Sequence, residues 1–260
     1  MNRVLVIKLG ALGDFVLALA AMRRIREAHP EATITLLTTP PYAALGEACP
    51  YVDAVERDGR PEGPLAPARL IARIRRAGYD RVYALQTSSR SSAYFQLLRP
   101  HPPEWSGIAA GCSHPHRNPH RDDMHTLERQ AEQLQDAGVW PDAPTGPGQA
   151  PPPELGWLAR PGAAAAFSLG PRYALLVPGG SAHRPEKRWP VEGYAELARL
   201  LSDQGVDVAV IGGPAEAEAA RLITATAPAA RDLTGRTDYA QIAALGAGAA
   251  LAIGNDTGPT

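Results

Sequence analysis

Lysine is almost missing from this chain of 260 residues: of 26 Lys and Arg residues, only Lys8 and Lys187 are lysine. Cysteine is just as scarce. Cys49 and Cys112 stand far apart with no CxxC spacing, which excludes a disulfide framework and the usual cysteine zinc modules. Neither sign of charge dominates, since the formal net charge is −1, and a strongly basic face for nucleic acid is therefore not expected. Long apolar runs are absent too. No stretch approaches the ~20 apolar residues of a membrane span, and Lys8 and Asp14 interrupt the N-terminal segment where a secretory signal needs unbroken apolar sequence. The expectation is an unprocessed, soluble, cytoplasmic protein in a reducing compartment.

What is present is a rhythm. With 45% hydrophobic and 20% charged residues the chain can pack a core, and its length exceeds one domain of about 100–200 residues. Residues 3–9 (RVLVIKL) read as a strand, GALGD as a turn, and apolar positions then recur at helical spacing from Val16 to Ile25. His29-Pro30 should end that helix, because the residue before proline is pushed out of the helical region. Strands at 33–39, 52–55, 80–86 and 105–110 alternate with helices at 40–48, 65–77, 91–98 and 124–137. Such alternation predicts an α/β fold with a parallel sheet covered on both faces. A Pro/Gly/Ala-rich stretch follows, and the rhythm restarts at YALLVPGG. The expected organisation is a first domain at 1–150, a linker at 151–172 and a second domain at 173–260. The second domain reads as incomplete, because the chain stops just after its last strand.

Four places carry possible chemistry. Gly10-Ala11-Leu12-Gly13-Asp14 joins the first strand to the first helix, where backbone N–H groups are unpaired. It lacks the third glycine of a GxGxxG fingerprint, and a carboxylate there would repel a pyrophosphate. Asp14 is either a helix cap or an acid or base facing a cleft. Lys187 follows a glycine turn, Gly179-Gly180-Ser181, that offers donors to a diphosphate; a solvated loop lysine is the plainer alternative. Asp256-Thr257-Gly258 follows an apolar strand and suits a phosphate at a helix start. The same tripeptide also marks aspartic proteases, which would require a β-rich chain and a second such motif. Cys112, His114, His116, His120 and His125 crowd one segment without the paired spacing of zinc sites, and a polar loop is expected there.

KxxxxGD in the first turn, PGGSAHRPEKRWP, and GNDTGP after an apolar strand, in that order, resemble the heptosyltransferase family of glycosyltransferases. YDRVYALQ, HTLERQ and VIGGPAE extend the likeness along the chain. The resemblance implies a GT-B architecture of two Rossmann-like doubly wound domains facing a cleft, with an ADP-sugar donor on the second. It implies that Gly180, Ser181 and Lys187 hold the diphosphate, that Glu216 takes ribose hydroxyls, and that Asp256, Thr257 and Gly258 close on the sugar diphosphate. Asp14 would then deprotonate the acceptor hydroxyl in an inverting displacement, with no metal and no cofactor beyond the donor substrate. On the acceptor side it implies an anionic glycolipid at the inner membrane, met by Lys8, Gly13, Arg69, Arg73 and His125. A non-catalytic nucleotide-sugar-binding remnant and a related sugar-nucleotide epimerase are the alternatives.

Overall fold

The computed structural model describes residues 2–58, 66–144, 146–180 and 185–255. They form two compact units, Met1–Glu154 and Leu155–Thr260. In the first, β1 (Arg3–Ile7), α1 (Leu12–Ala28), β2 (Thr33–Thr38), α2 (Ala43–Ala48), β3 (Ala54–Arg57), α3 (Ala66–Ala77), β4 (Arg81–Ala84), α4 (Ser89–Leu98), β5 (Glu104–Gly107), β6 (His114–Pro115) and α5 (Thr126–Asp136) follow in chain order. The strands make one parallel sheet in the order β3-β2-β1-β4-β5-β6, with Leu5 opposite Thr35 on one side and Val82 on the other.

β1 is apolar without alternation because both its faces are covered. Successive side chains point to opposite faces. Leu5 and Ile7 meet Ile71 and Ile74 of α3 and Phe95 and Leu98 of α4 in one core, with Trp105 of β5 completely buried among them. On the other side α1 packs against α5 and buries Phe15, Leu19, Met22 and Ile25. α1 ends at Ala28, with His29 as its C-cap immediately before Pro30, as the sequence predicts.

The second unit contains α6 (Ala163–Ala166), β7 (Tyr173–Val177), α7 (Val191–Asp203), β8 (Asp207–Val210), α8 (Ala217–Thr226), β9 (Arg231–Asp232), α9 (Tyr239–Gly248) and β10 (Leu251–Gly254). Its sheet is also parallel, ordered β10-β7-β8-β9. Leu176, Val208 and Val210 pack on α7 and α8 through Tyr194, Ala198 and Ile223. Tyr173, Leu175 and Val177 face Leu245 of α9, together with Ala163 and Leu169 from the Pro/Gly/Ala-rich stretch. Two parallel sheets wrapped by helices are the expected α/β class, and they rule out the β-rich fold that the protease alternative needed. Among the described residues no helix is long and apolar enough to cross a membrane.

Candidate functional site

In a doubly wound sheet the chain leaves its first strand in one direction and later returns to that strand's other side. Between those two strands the connecting loops diverge, and a crevice opens at their carboxyl ends. In the first unit that point lies between β1 and β4. A cavity of about 700 Å³ occupies it, lined by Leu9, Gly10, Thr39, Tyr42, Gln86 and Arg90 among others. Gly10 has φ +133°, and a Cβ there would sit 2.6 Å from the Tyr42 ring. Only glycine lets that ring close over the turn.

Asp14 lies in the first turn of α1, but the N-cap is Ala11 and no side chain caps the helix. Its carboxylate is exposed and makes no hydrogen bond or ion pair among the described residues. Capping therefore does not explain this aspartate. Beneath it Lys8 is 3% exposed. Burial pushes the Lys8 ammonium down to about 8, opposed by the negative charge of Asp14 and assisted by the positive charge of Arg129. The structure thus brings Lys8, Asp14 and Arg129 of α5 into one electrostatic neighbourhood. Gly13, half-buried, forms part of the same turn.

The other acceptor-side candidates are placed differently. His125 is the N-cap of α5, its Nδ1 accepting from Leu127 N at 3.4 Å. Arg73 is engaged by Glu56 at 3.6 Å and donates to the Arg57 carbonyl at 3.2 Å. Arg69 is exposed near the start of α3. The His-rich segment is stitched onto α5: Glu132 meets buried His116 at 3.2 Å and accepts from Asn118 at 2.9 Å. No group of three or more potential metal ligands occurs among the described residues.

In the second unit the equivalent point lies between β7 and β10. Asn255, 7% exposed, fastens the loops that leave these strands. Its Oδ1 accepts from Trp189 N at 2.9 Å and from the Tyr194 hydroxyl at 3.0 Å. Its Nδ2 donates to the carbonyls of Pro178 and Gly179, each at 2.9 Å. Glu216 accepts from Gly213 N at 2.8 Å and lies against Gly179, where an added Cβ would come within 3.2 Å of its carboxylate. Arg188 donates to the Gly180 carbonyl at 2.6 Å, next to exposed Lys187. Gly180 and Glu216 therefore converge on one glycine-walled corner, and Arg188 is tied to the same turn. Ser181, Asp256, Thr257 and Gly258 lie outside the described residues.

Several residues here escape motif reading. Arg90 lies outside the quoted segments, Tyr42 and Gln86, the last residue of YDRVYALQ, carried no signal of their own, and only the topology brings the three together. Asn255 and Arg188 do stand inside quoted motifs, and their positions gave a signal that residue type alone did not.

Comparisons with known proteins agree with this geometry. A putative glycosyltransferase of Haemophilus influenzae is 31% identical over 80 residues, covering 31% of this chain and 23% of that protein. Lipopolysaccharide heptosyltransferase 2 of Salmonella typhimurium is 27% identical over 281 residues, covering 98% of this chain and 78% of that protein. The solved structure of Escherichia coli ADP-heptose lipopolysaccharide heptosyltransferase II superposes with a TM-score of 0.77 at 25% identity, covering 99% of this chain and 80% of that one. The model of glycosyltransferase family 9 (heptosyltransferase) matches residues 68–260. Two doubly wound units, a glycine turn ending in an uncapped aspartate, and a family match over most of the sequence lead to one statement: this chain belongs to glycosyltransferase family 9, the heptosyltransferases.

Proposed function

We propose that the protein moves heptose or a related sugar from an ADP-sugar to an inner-core lipopolysaccharide or similar anionic glycan, inverting the anomeric centre without a metal. The observation that carries the proposal is Asp14, a carboxylate at the switch point of the first unit that no helix-capping role accounts for. The acceptor oxygen bonds to the anomeric carbon as the bond from that carbon to the diphosphate oxygen breaks. The hydroxyl proton passes to Asp14, and the electron pair of the broken bond leaves on ADP. Lys187 and the backbone N–H groups around Gly180 offset the charge gathering on the leaving diphosphate, and Glu216 faces the ribose. Ser181, Asp256, Thr257 and Gly258 complete the donor site by family resemblance.

The names of the heptosyltransferase relatives support the choice of donor and acceptor. An acceptor of that kind places the enzyme at the cytoplasmic face of the inner membrane as a peripheral visitor. Asp14→Asn tests the assignment. Turnover should fall by about 100- to 10,000-fold while calorimetric ADP affinity stays within two-fold, with the magnitude set by loss of general-base catalysis. Unchanged turnover would remove Asp14 from the mechanism. Binding of ADP with no turnover even by the unaltered chain would favour a non-catalytic nucleotide-sugar-binding protein.

A further inference from the structure

The cavity at the carboxyl ends of β1 and β4 holds an arginine fixed more firmly than a surface residue needs to be. Arg90 stands at the start of α4, its side chain one-third exposed. Its Nη2 donates to Asp58 Oδ1 at 2.7 Å and its Nε to the Tyr94 hydroxyl at 2.6 Å. Tyr94 in turn donates to the other oxygen of Asp58, closing a three-membered ring of hydrogen bonds. The Asp58 side chain is 4% exposed, and its backbone N–H donates to the Thr38 carbonyl at 2.7 Å. One edge of the guanidinium is thereby fully used. Nη1 has no partner among the described residues, and Arg90 lines the cavity.

Two further groups in the cavity are held in comparable fashion. Gln86 Oε1 accepts from Leu9 N at 3.2 Å, which leaves its amide N–H groups as the available donors. The Tyr42 ring is fixed between Gly10 and Phe15, whose ring centroid is 5.9 Å away. The charge of Arg90 is matched by Asp58, and among the described residues no other charged side chain lines the space. The result is a neutral pocket with one aromatic wall and two planar donors in fixed orientation.

We infer that this pocket seats an uncharged, hydroxyl-bearing sugar ring of the acceptor, with Arg90 Nη1 and Gln86 Nε2 donating to its hydroxyl oxygens and Tyr42 covering a face. Asp58 and Tyr94 are positioning residues that act through Arg90. The assignment rests on the proposed transferase activity. It also differs from reliance on Arg69 and Arg73, because a charge-matched arginine reads the directions of hydroxyl groups more than it attracts anions.

The test is steady-state kinetics with ADP-heptose and with lipopolysaccharide whose inner core ends at its first, unphosphorylated heptose, so that the acceptor carries an uncharged sugar ring. Arg90→Met should raise the acceptor KM by about 10- to 100-fold, the range for losing hydrogen bonds from a charged donor, and leave the donor KM unchanged. Arg90→Lys should not restore it, because an ammonium cannot hold Asp58 and Tyr94 and still present a planar pair. Tyr94→Phe, which keeps the arginine but loosens it, should raise the acceptor KM by about 3- to 10-fold while the donor KM and kcat stay unchanged. Each ratio should be the same in about 50 and 500 mM NaCl, since hydroxyl recognition is not screened. A ratio that collapses at high salt would identify an anion as the bound group and overturn the inference, as would equal rises in both KM values. If the unaltered chain transfers nothing, the transferase reading fails, and the pocket is then judged by saturation-transfer NMR with methyl α-mannopyranoside. Signal lost in Arg90→Met supports the pocket; equal signal in both overturns it.

Discussion

A lysine at 3% exposure carries a penalty that most proteins avoid, and in this chain the residue is one of only two lysines. Burial lowers the Lys8 ammonium to about 8, against its ordinary value of 10.5. Below pH 8 the side chain is charged in folded and unfolded chain alike, so the full penalty is present. Between pH 8 and 10.5 the unfolded chain binds the proton that the folded chain has released, and stability therefore rises with pH. The shift corresponds to about 3 kcal/mol across that window. Cys49 works in the opposite direction: burial raises its thiol to about 11, so its contribution is lost as pH climbs from 9 toward 11. The profile of the unaltered protein mixes the two, and a difference between proteins isolates Lys8. Lys8→Met should be the more stable chain at pH 7 by about 1–3 kcal/mol in urea unfolding, with the gain gone near pH 10.5. An equal gain at both pH values would mean that the ammonium is not the source of the penalty. Turnover should fall in the same variant, because it removes the buried cation from the cluster of Lys8, Asp14 and Arg129.

At the scale of elements, the sequence was legible where the physics is local. β1, α1, β2 and β7 follow from apolar runs, glycine turns and His29-Pro30, which neighbouring residues decide almost alone. Capping reads the same way in α4, where Ser88 accepts from Ser91 N and the two residues form a reciprocal box. The joins between elements were less legible. Nothing in GNDTGP announces that Asn255 will span from β10 to the loop after β7 and to the start of α7, since those partners lie more than 60 residues away in sequence. The same holds for Arg90, whose role depends on Asp58, 32 residues earlier. Asn255→Ala would leave buried donors and acceptors on both loops without partners. It should destabilise the second unit by about 2–4 kcal/mol in urea unfolding and weaken ADP binding, because the Gly179-Gly180 turn loses its tether. Stability reduced with ADP affinity intact would separate the latch from the donor site.

For the molecule as a whole, sheet order turns separate motifs into sites. Each unit reverses direction once beside its first strand, between β1 and β4 and between β7 and β10, and the quoted motifs fall at those two carboxyl edges. Alternation of strands and helices could be read from the sequence, and the crevices follow from it. The side chains that fill them could not be, because they come from strands far apart in the chain. This division bears on the role of metal in the proposed reaction. Beside Gly179, one carboxylate oxygen of Glu216 already accepts from Gly213 N at 2.8 Å. Lys187 supplies a cation on the adjoining turn, and in the proposed reaction it takes the place of a divalent ion at the diphosphate. Transfer should therefore proceed at the same rate, within about two-fold, in EDTA and in millimolar magnesium if lysine and backbone donors supply the electrostatic stabilisation. Lys187→Ala should weaken ADP binding by about 10- to 100-fold in either condition, the range for losing a charge-assisted contact. Transfer abolished by EDTA and restored by magnesium would place a metal at the diphosphate and take from Lys187 the role of its principal counter-charge.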